Sequence, residues 1–339
     1  MRLPSLLAIA ACLLAAGCRS TAPVAAPDPA REDADLVAPA RGHIVVCGRK
    51  VPVDAPVVLW TDFPAYDAYR TTPRFGQEDE KSPKGLRYQP GRRTTLRPAA
   101  EGREALHQVL VEPGESDPLA LARVVDQFVL HYDVCGLART CFKVLQDQRG
   151  LSVHFLLDID GTIYQTMDLR EQAFHATKSN ARSIGVEIAH IGAYKPFERS
   201  PLDEWYARDG GGPYISIPER FGDGGVRTPG FVGRPAREAL VRGEIQGQLL
   251  EQYDFTPEQY ASLTSLAAAL CKEFPRLAPD APRDAEGRVL DRAMSDEAWR
   301  DFGGILGHYH IQTNKTDPGP GFDWEPFLAE VRRKLALRR

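Results

Sequence analysis

Residues 307–324 read GHYHIQTNKTDPGPGFDW. His308, His310, Lys315 and Asp317 stand close together, and Pro318, Gly319 and Pro320 follow at once. Two imidazoles and one carboxylate are a familiar catalytic zinc set, in which three protein ligands leave a fourth position for water. Pro318 restricts the backbone of Asp317 to extended conformations and so limits where its carboxylate can aim. The return loop between His308 and Asp317 can therefore bring both side chains to one point. A third donor is offered by His131, which ends the apolar run QFVLHYD where a strand meets a loop. There the strand fixes the backbone while the loop leaves the side chain open to solvent. The candidate metal ligands are His131, His308 and Asp317.

Outward from these residues, the pattern predicts an α/β domain over 124–339. VVDQFVLHYD reads as a strand, ARTCFKVLQDQ as a helix, and SVHFLLDID with TIYQTMD as a hairpin turning at Asp160-Gly161. RSIGVEIAH (182–190) is a further strand. Residues 192–255 break periodicity with many Gly, Pro and aromatic residues and are expected to form a long surface insertion that shapes a groove. Thr256-Pro257-Glu258 opens the clearest helix, with Thr256 as N-cap and Pro257 in the first turn, ending near Phe274-Pro275. FDWEPFLAEVRRKLALRR closes the chain as an amphipathic helix. Upstream, HIVVCGRKVPVDAPVVLWTD (43–62) suggests a small hairpin, and residues 63–104 an irregular loop. The whole of 43–123 is an N-terminal extension without a legible role.

The 339 residues carry a formal net charge of -4 and a pI near 6.1. Neither gives a bulk reason to expect nucleic acid or an anionic membrane surface as partner. Residues 1–18, MRLPSLLAIAACLLAAGC, have an early Arg2, a short apolar run and small residues before Cys18, which is the form of an export signal. Leu14 to Cys18 resembles the lipobox of bacterial lipoproteins. That resemblance implies cleavage before Cys18, acylation of its thiol, and a periplasmic protein lipid-anchored to an envelope membrane. Arg19, in place of an aspartate, favours the outer membrane. Residues 19–42, rich in Ala, Pro and acidic groups, are expected to be a disordered tether. Cys47, Cys135, Cys141 and Cys271 remain, an even number in a compartment where disulfides persist.

The closing motif resembles that of zinc-dependent N-acetylmuramoyl-L-alanine amidases of the type 2 class, whose fold is shared with peptidoglycan-recognition proteins. The resemblance covers roughly residues 124–190 and 245–330. It implies a mixed central sheet flanked by helices, zinc held by His131, His308 and Asp317, and peptidoglycan or muropeptides as partner. SIGVE (183–187) matches the family strand whose glutamate is the catalytic base, which implies that role for Glu187. Lys315 is expected to place its charge at the developing oxyanion, and His175 corresponds to a family histidine near the substrate cleft. Cys135 and Cys141 reproduce a close-spaced disulfide of the recognition proteins. The spacing from His308 to Lys315 is slightly compressed, so His310 stays a rival ligand. His154, in an alternating strand, reads as structural. The function implied is hydrolysis of the amide between N-acetylmuramic acid and L-alanine, by a monomer. A peptidoglycan-binding protein without catalysis and a zinc peptidase cutting within the stem peptide are the alternatives.

Overall fold

The computed structural model describes residues 41–70, 72–75, 118–198 and 200–337. The expected signal peptide, Cys18 and nearly all of the tether lie outside the described residues, as do 76–117 of the extension. Gly42–Val46 (β1) and Arg49–Val53 (β2) form the expected hairpin, with Ile44 opposite Val51. The two turn residues, Cys47 and Gly48, both have positive φ, the backbone that a tight two-residue hairpin turn requires. Val57–Leu59 (β3) follows, then Pro118–Val124 (α1), which has a proline as its first residue. Because α1 absorbs Val124, the strand expected from that position begins only at Gln127–Tyr132 (β4).

Ala138–Phe142 (α2) runs on as a π-helical segment, Lys143–Arg149, which Gly150 ends in the left-handed conformation. Phe155–Leu157 (β5) and Ile163–Gln165 (β6) pair antiparallel as the hairpin expected there, and Ser183–Ile188 (β7) follows. The segment 192–255 carries Ser200–Trp205 (α3) and two hairpins, Tyr206–Asp209 (β8) with Gly212–Ile215 (β9), and Val241–Ile245 (β10) with Gln248–Gln252 (β11). The second hairpin is not peripheral, since Leu250, Glu251 and Gln252 are buried and Tyr194 bridges to Glu251.

Pro257–Glu273 (α4) starts as the sequence predicts. Thr256 Oγ1 accepts from the Gln259 N–H at 3.1 Å, and Gln259 Oε1 accepts from the Thr256 N–H at 3.0 Å. Such reciprocal capping contributes about 1 kcal/mol. Asp296–Asp301 (α5), Gly304–Gly307 (β12) and Trp324–Ala336 (α6) complete the chain.

The central sheet is mixed, with order β12-β4-β7-β5-β6-β3. β12, β4, β7 and β5 are parallel, β6 is antiparallel to β5, and β3 is parallel to β6. The N-terminal extension thus supplies an edge strand of the main sheet. Its two-fold side-chain alternation divides the strands cleanly. Phe128, Leu130, Phe155, Leu157, Ile163, Ile184, Val186 and Ile305 face α4, α6 and the β1–β2 hairpin in one large core. Leu266 and Leu270 of α4 are fully buried there, each adding about 2 kcal/mol by leaving water.

The opposite face is covered in two separate places. Val58, Leu156 and Tyr164 pack with Ala138, Phe142 and Leu145 at one end, and Val129 and Leu306 with Ala176, Ile311 and Trp299 at the other. Between the two patches the strands present His131, Ser183, Gly185 and Glu187. The cleft lies in that gap.

Candidate metal and catalytic site

His131 is the fifth residue of β4 and Glu187 the fifth of β7, and the parallel register sets them side by side. His308 follows directly on β12, so three parallel strands deliver one functional group each at their C-terminal ends. Asp317 comes back from the loop. Its peptide bond to Pro318 is cis, and Gly319 has φ +83, where a Cβ would lie 2.0 Å from Gln252 Oε1. Glycine is therefore required at that corner. Gln252 Nε2 donates to the Pro318 carbonyl and its Oε1 accepts from the Gly321 N–H, which ties the loop to β11.

The structure brings the three expected ligands together. Asp317 Oδ2 is 2.8 Å from His131 Nδ1 and 3.1 Å from His308 Nδ1, and one donor atom from each residue lies within 4.8 Å of the others. They form the metal-competent group among the described residues, exposed by 2 %, 4 % and 7 %. Burial lowers the His131 pKa to about 4, helped by His308. It therefore stays neutral, as a ligand must. Burial alone would raise the Asp317 pKa, but the two imidazoles outweigh it and hold the carboxyl well below its usual range. The second nitrogen of each ring is occupied. His308 Nε2 lies 2.7 Å from Gln312 Oε1, so it carries the proton and donates. His131 Nε2 lies 2.9 Å from His175 Nδ1. Both Nδ1 atoms are thereby left to point at the carboxylate. Two imidazoles and one carboxylate, each ring held from behind, suit a divalent cation such as zinc.

Glu187 is half-buried on the cleft wall. Burial pushes its pKa well above the carboxylate range, with Asp317 and Asp133 adding to the rise. Lys315 and Arg149 also line the cleft. Arg149 is exposed at the end of the π-helical segment. Val134, 51 % exposed on the lip, has φ 55, a strained conformation for a β-branched residue. Asp133 holds that turn, its Oδ1 accepting from the N–H groups of Cys135, Gly136 and His190 at 2.9, 2.9 and 3.1 Å.

His175 lines the cleft and also backs His131. His310 is placed elsewhere. Its Nδ1 accepts from the Gly307 N–H and its Nε2 donates to the Leu290 carbonyl, so both nitrogens serve the loop and neither is offered to a metal. His154 is buried, accepts from the Gly185 N–H and donates to the Glu171 carbonyl.

The expected Cys135–Cys141 disulfide is corrected by the structure, in which both are free thiols, as are Cys47 and Cys271. Burial pushes the Cys141 thiol well up, and Cys135 stands in hydrogen-bonding contact with it. Exchange needs a thiolate, which that burial disfavours.

Three residues escaped sequence reasoning: Gln312, Ser183 and Arg149. Gln312 is four residues after His308 within the quoted motif, a signal that was available. Arg149 and Ser183 carry no local mark.

Residues 121–208 match the family model described as N-acetylmuramoyl-L-alanine amidase. No curated protein sequence matches the chain. Among solved structures it is similar to the N-acetylmuramyl-L-alanine amidase AmiD from E. coli, in complex with the substrate anhydro-N-acetylmuramic acid-L-Ala-D-gamma-Glu-L-Lys. That match has 16% identity and a TM-score of 0.34, covering 65% of this chain and 60% of that one. It is also similar to AmpDh3 from Pseudomonas aeruginosa in complex with anhydromuramic pentapeptide, at 15% identity and TM-score 0.33, covering 69% and 66%. A third is the endolysin N-acetylmuramoyl-L-alanine amidase LysCS from Clostridium intestinale, at 15% identity and TM-score 0.30, covering 62% and 86%. The chain thus spans less than two thirds of the length of the first two. The matched segment holds β4 and β7, the strands that bear His131 and Glu187.

Proposed function

We propose that the protein is a zinc-dependent N-acetylmuramoyl-L-alanine amidase, hydrolysing the amide between N-acetylmuramic acid and the L-alanine of peptidoglycan stem peptides. The observation that carries this reading is the convergence of His131, His308 and Asp317 in a cleft that also holds Glu187 and Lys315. What zinc supplies when bound is Lewis acidity, polarising the scissile carbonyl and making water a competent nucleophile near neutral pH. His131 and His308 would hold it through Nδ1 and Asp317 through a carboxylate oxygen. Glu187, beside His131, takes the proton of the attacking water and returns it to the leaving amine. Its raised pKa keeps that proton available for the second transfer. Lys315 brings a positive charge to the oxygen on which negative charge develops. Arg149 and Lys315 give the cleft two cations, which suit the carboxylates of a stem peptide, while Val134 and Leu151 offer it apolar contact.

The export signal and Cys18 support a lipoprotein working in the periplasm on wall or muropeptides, with Arg19 favouring the outer membrane. Among the described residues no helix is long and apolar enough to cross a membrane, and acyl chains need none. A Cys18→Ser variant is expected to leave the membrane fraction for the soluble one.

The test of the activity is zinc content together with product analysis on muropeptides, for the parent and for Asp317→Ala. About one zinc per chain and free stem peptides with an L-alanine amino terminus, both lost in the variant, are expected. Zinc without products, or cleavage within the stem peptide, would overturn the assignment.

A further inference from the structure

β7 places Ser183, Gly185 and Glu187 on one face, because alternate strand residues point the same way. Glu187 is at the cleft. The other two serve a ring that arrives from outside the sheet. His175 lies across β7 with its Nε2 3.2 Å from Ser183 Oγ and its Nδ1 2.9 Å from His131 Nε2. A Cβ on Gly185 would stand 2.5 Å from the His175 ring, so only glycine leaves that ring its place. The backbone beside it is pinned, since Asn180 Oδ1 accepts from the N–H groups of His175 and Ala176 at 3.1 and 2.7 Å. The rings of His131 and His175 meet edge to face, 5.1 Å between centroids.

We propose that His175, seated by Ser183 over Gly185, is a positioning residue that fixes the tautomer and aim of His131 for the metal. The proton logic has one solution. For His131 Nδ1 to offer its lone pair, Nε2 must carry the proton and donate to His175 Nδ1. His175 then carries its own proton on Nε2 and donates to the Ser183 hydroxyl, which has lone pairs to accept it. Gln312 does the same for His308 in a single step. The two histidine ligands thus have matched supports, one a side-chain amide and the other a histidine–serine relay. Such partners behind metal-bound histidines set ligand basicity, and their loss lowers metal affinity by about 10–100-fold.

This inference rests on the metal-site reading above, and the experiment separates the two. Zinc affinity of the full chain is measured by competition with a chelator, in the parent and in His175→Ala, His175→Gln and Ser183→Ala, beside thermal melts of the metal-free proteins. His175→Ala is expected to bind zinc about 10–100-fold more weakly while its metal-free melt stays near the parent's. Ser183→Ala should weaken binding less, and His175→Gln should recover part of the loss through its amide oxygen. Parent-like affinity in both His175→Ala and Ser183→Ala would overturn the role of His175 while leaving the metal site standing. If His175→Ala does not fold, Ser183→Ala decides alone, and unchanged affinity there overturns the proposal. A parent that holds no zinc would overturn the metal-site reading and this inference with it.

Discussion

The same three strands carry buried charge at both ends, and the two ends use it in opposite ways. At the N-terminal end Asp126 precedes β4, Arg182 precedes β7, and residues 299–302 lead into β12. All five N–H groups of the Arg182 guanidinium are used. Nε and Nη2 donate to the two oxygens of Asp126 at 2.6 and 2.7 Å, Nη2 also to the Phe302 carbonyl, and Nη1 to the carbonyls of Trp299 and Arg300. The Trp299 ring stacks 5.2 Å from the guanidinium carbon. At the C-terminal end, His131 and His308 aim two nitrogens at a single oxygen of Asp317. Those three groups have more ligand capacity than they satisfy for one another. A saturated cluster is a clamp, since any added group would break a bond already made. An unsaturated one of similar burial is kept for a ligand that completes it.

Removing a carboxylate at each end tests this contrast, and the catalytic end should give the larger effect. Asp317→Ala is expected to abolish metal retention and lower amide hydrolysis by at least about 1,000-fold, with the chain still folded. Activity and bound metal measured together would check it. Glu187→Gln should lower kcat by about 100–10,000-fold, the usual contribution of a positioned acid–base group, while metal content stays at the parent's level. Full activity in Glu187→Gln would break the assignment of the base. Because the active form of Glu187 is the carboxylate and its pKa is raised, activity should climb as pH rises through that pKa. The limb should vanish in the glutamine variant.

At the clamp, Asp126→Ala strands a guanidinium that is 1 % exposed. Breaking a buried pair from one side costs about 3–5 kcal/mol, so the melt should fall markedly. Zinc affinity and kcat should hold at temperatures where the variant is folded. Replacing both partners by apolar residues should not rescue it, because the Arg300 carbonyl would lose the Arg182 donor while those of Trp299 and Phe302 would keep only Gln127 Nε2. If Asp126→Ala instead changed metal affinity more than stability, the two ends would not be separate devices.

This contrast was only half visible in the sequence. His131, His308 and Asp317 were legible because each sits at the end of a periodic strand or inside one short motif, whereas Glu187 was marked only by the resemblance of SIGVE to a family strand. The strand sequence around β4, β5, β6 and β7 and the Thr256 N-cap were legible from local pattern. β3 was not assigned to the main sheet, since Val57, Val58 and Leu59 pair across more than a hundred residues with β6 and nothing local states the partner. Asp126 stood only as part of the strand VVDQFVLHYD, and Arg182 and Ser183 only as the opening residues of RSIGVEIAH. Their roles lie in contacts made after folding. The Cys135–Cys141 bond was expected from spacing in a related family, but spacing sets proximity and not oxidation state.

The smallest effect concerns His310, the rival ligand, and His190, two buried histidines whose ring nitrogens both serve backbone groups. His190 Nδ1 accepts from the Gly192 N–H at 2.8 Å and its Nε2 donates to the Tyr253 carbonyl at 3.0 Å. His310 has the same arrangement with Gly307 and Leu290. One accepted and one donated bond require the neutral ring, and burial lowers the pKa of each to about 4. Unfolded, these rings return to a pKa near 6.5. Between those values the unfolded chain binds protons that the native one does not, so stability falls as pH falls through that window. The slope is about 1.4 kcal/mol per pH unit for each histidine. Denaturant titrations of the metal-free protein at pH 7 and pH 5 would measure it, and His310→Gln should flatten the slope by one proton's share without altering zinc stoichiometry. A loss of zinc in His310→Gln with the melt unchanged would return His310 to the ligand set and shift the boundary between the two uses of buried histidine.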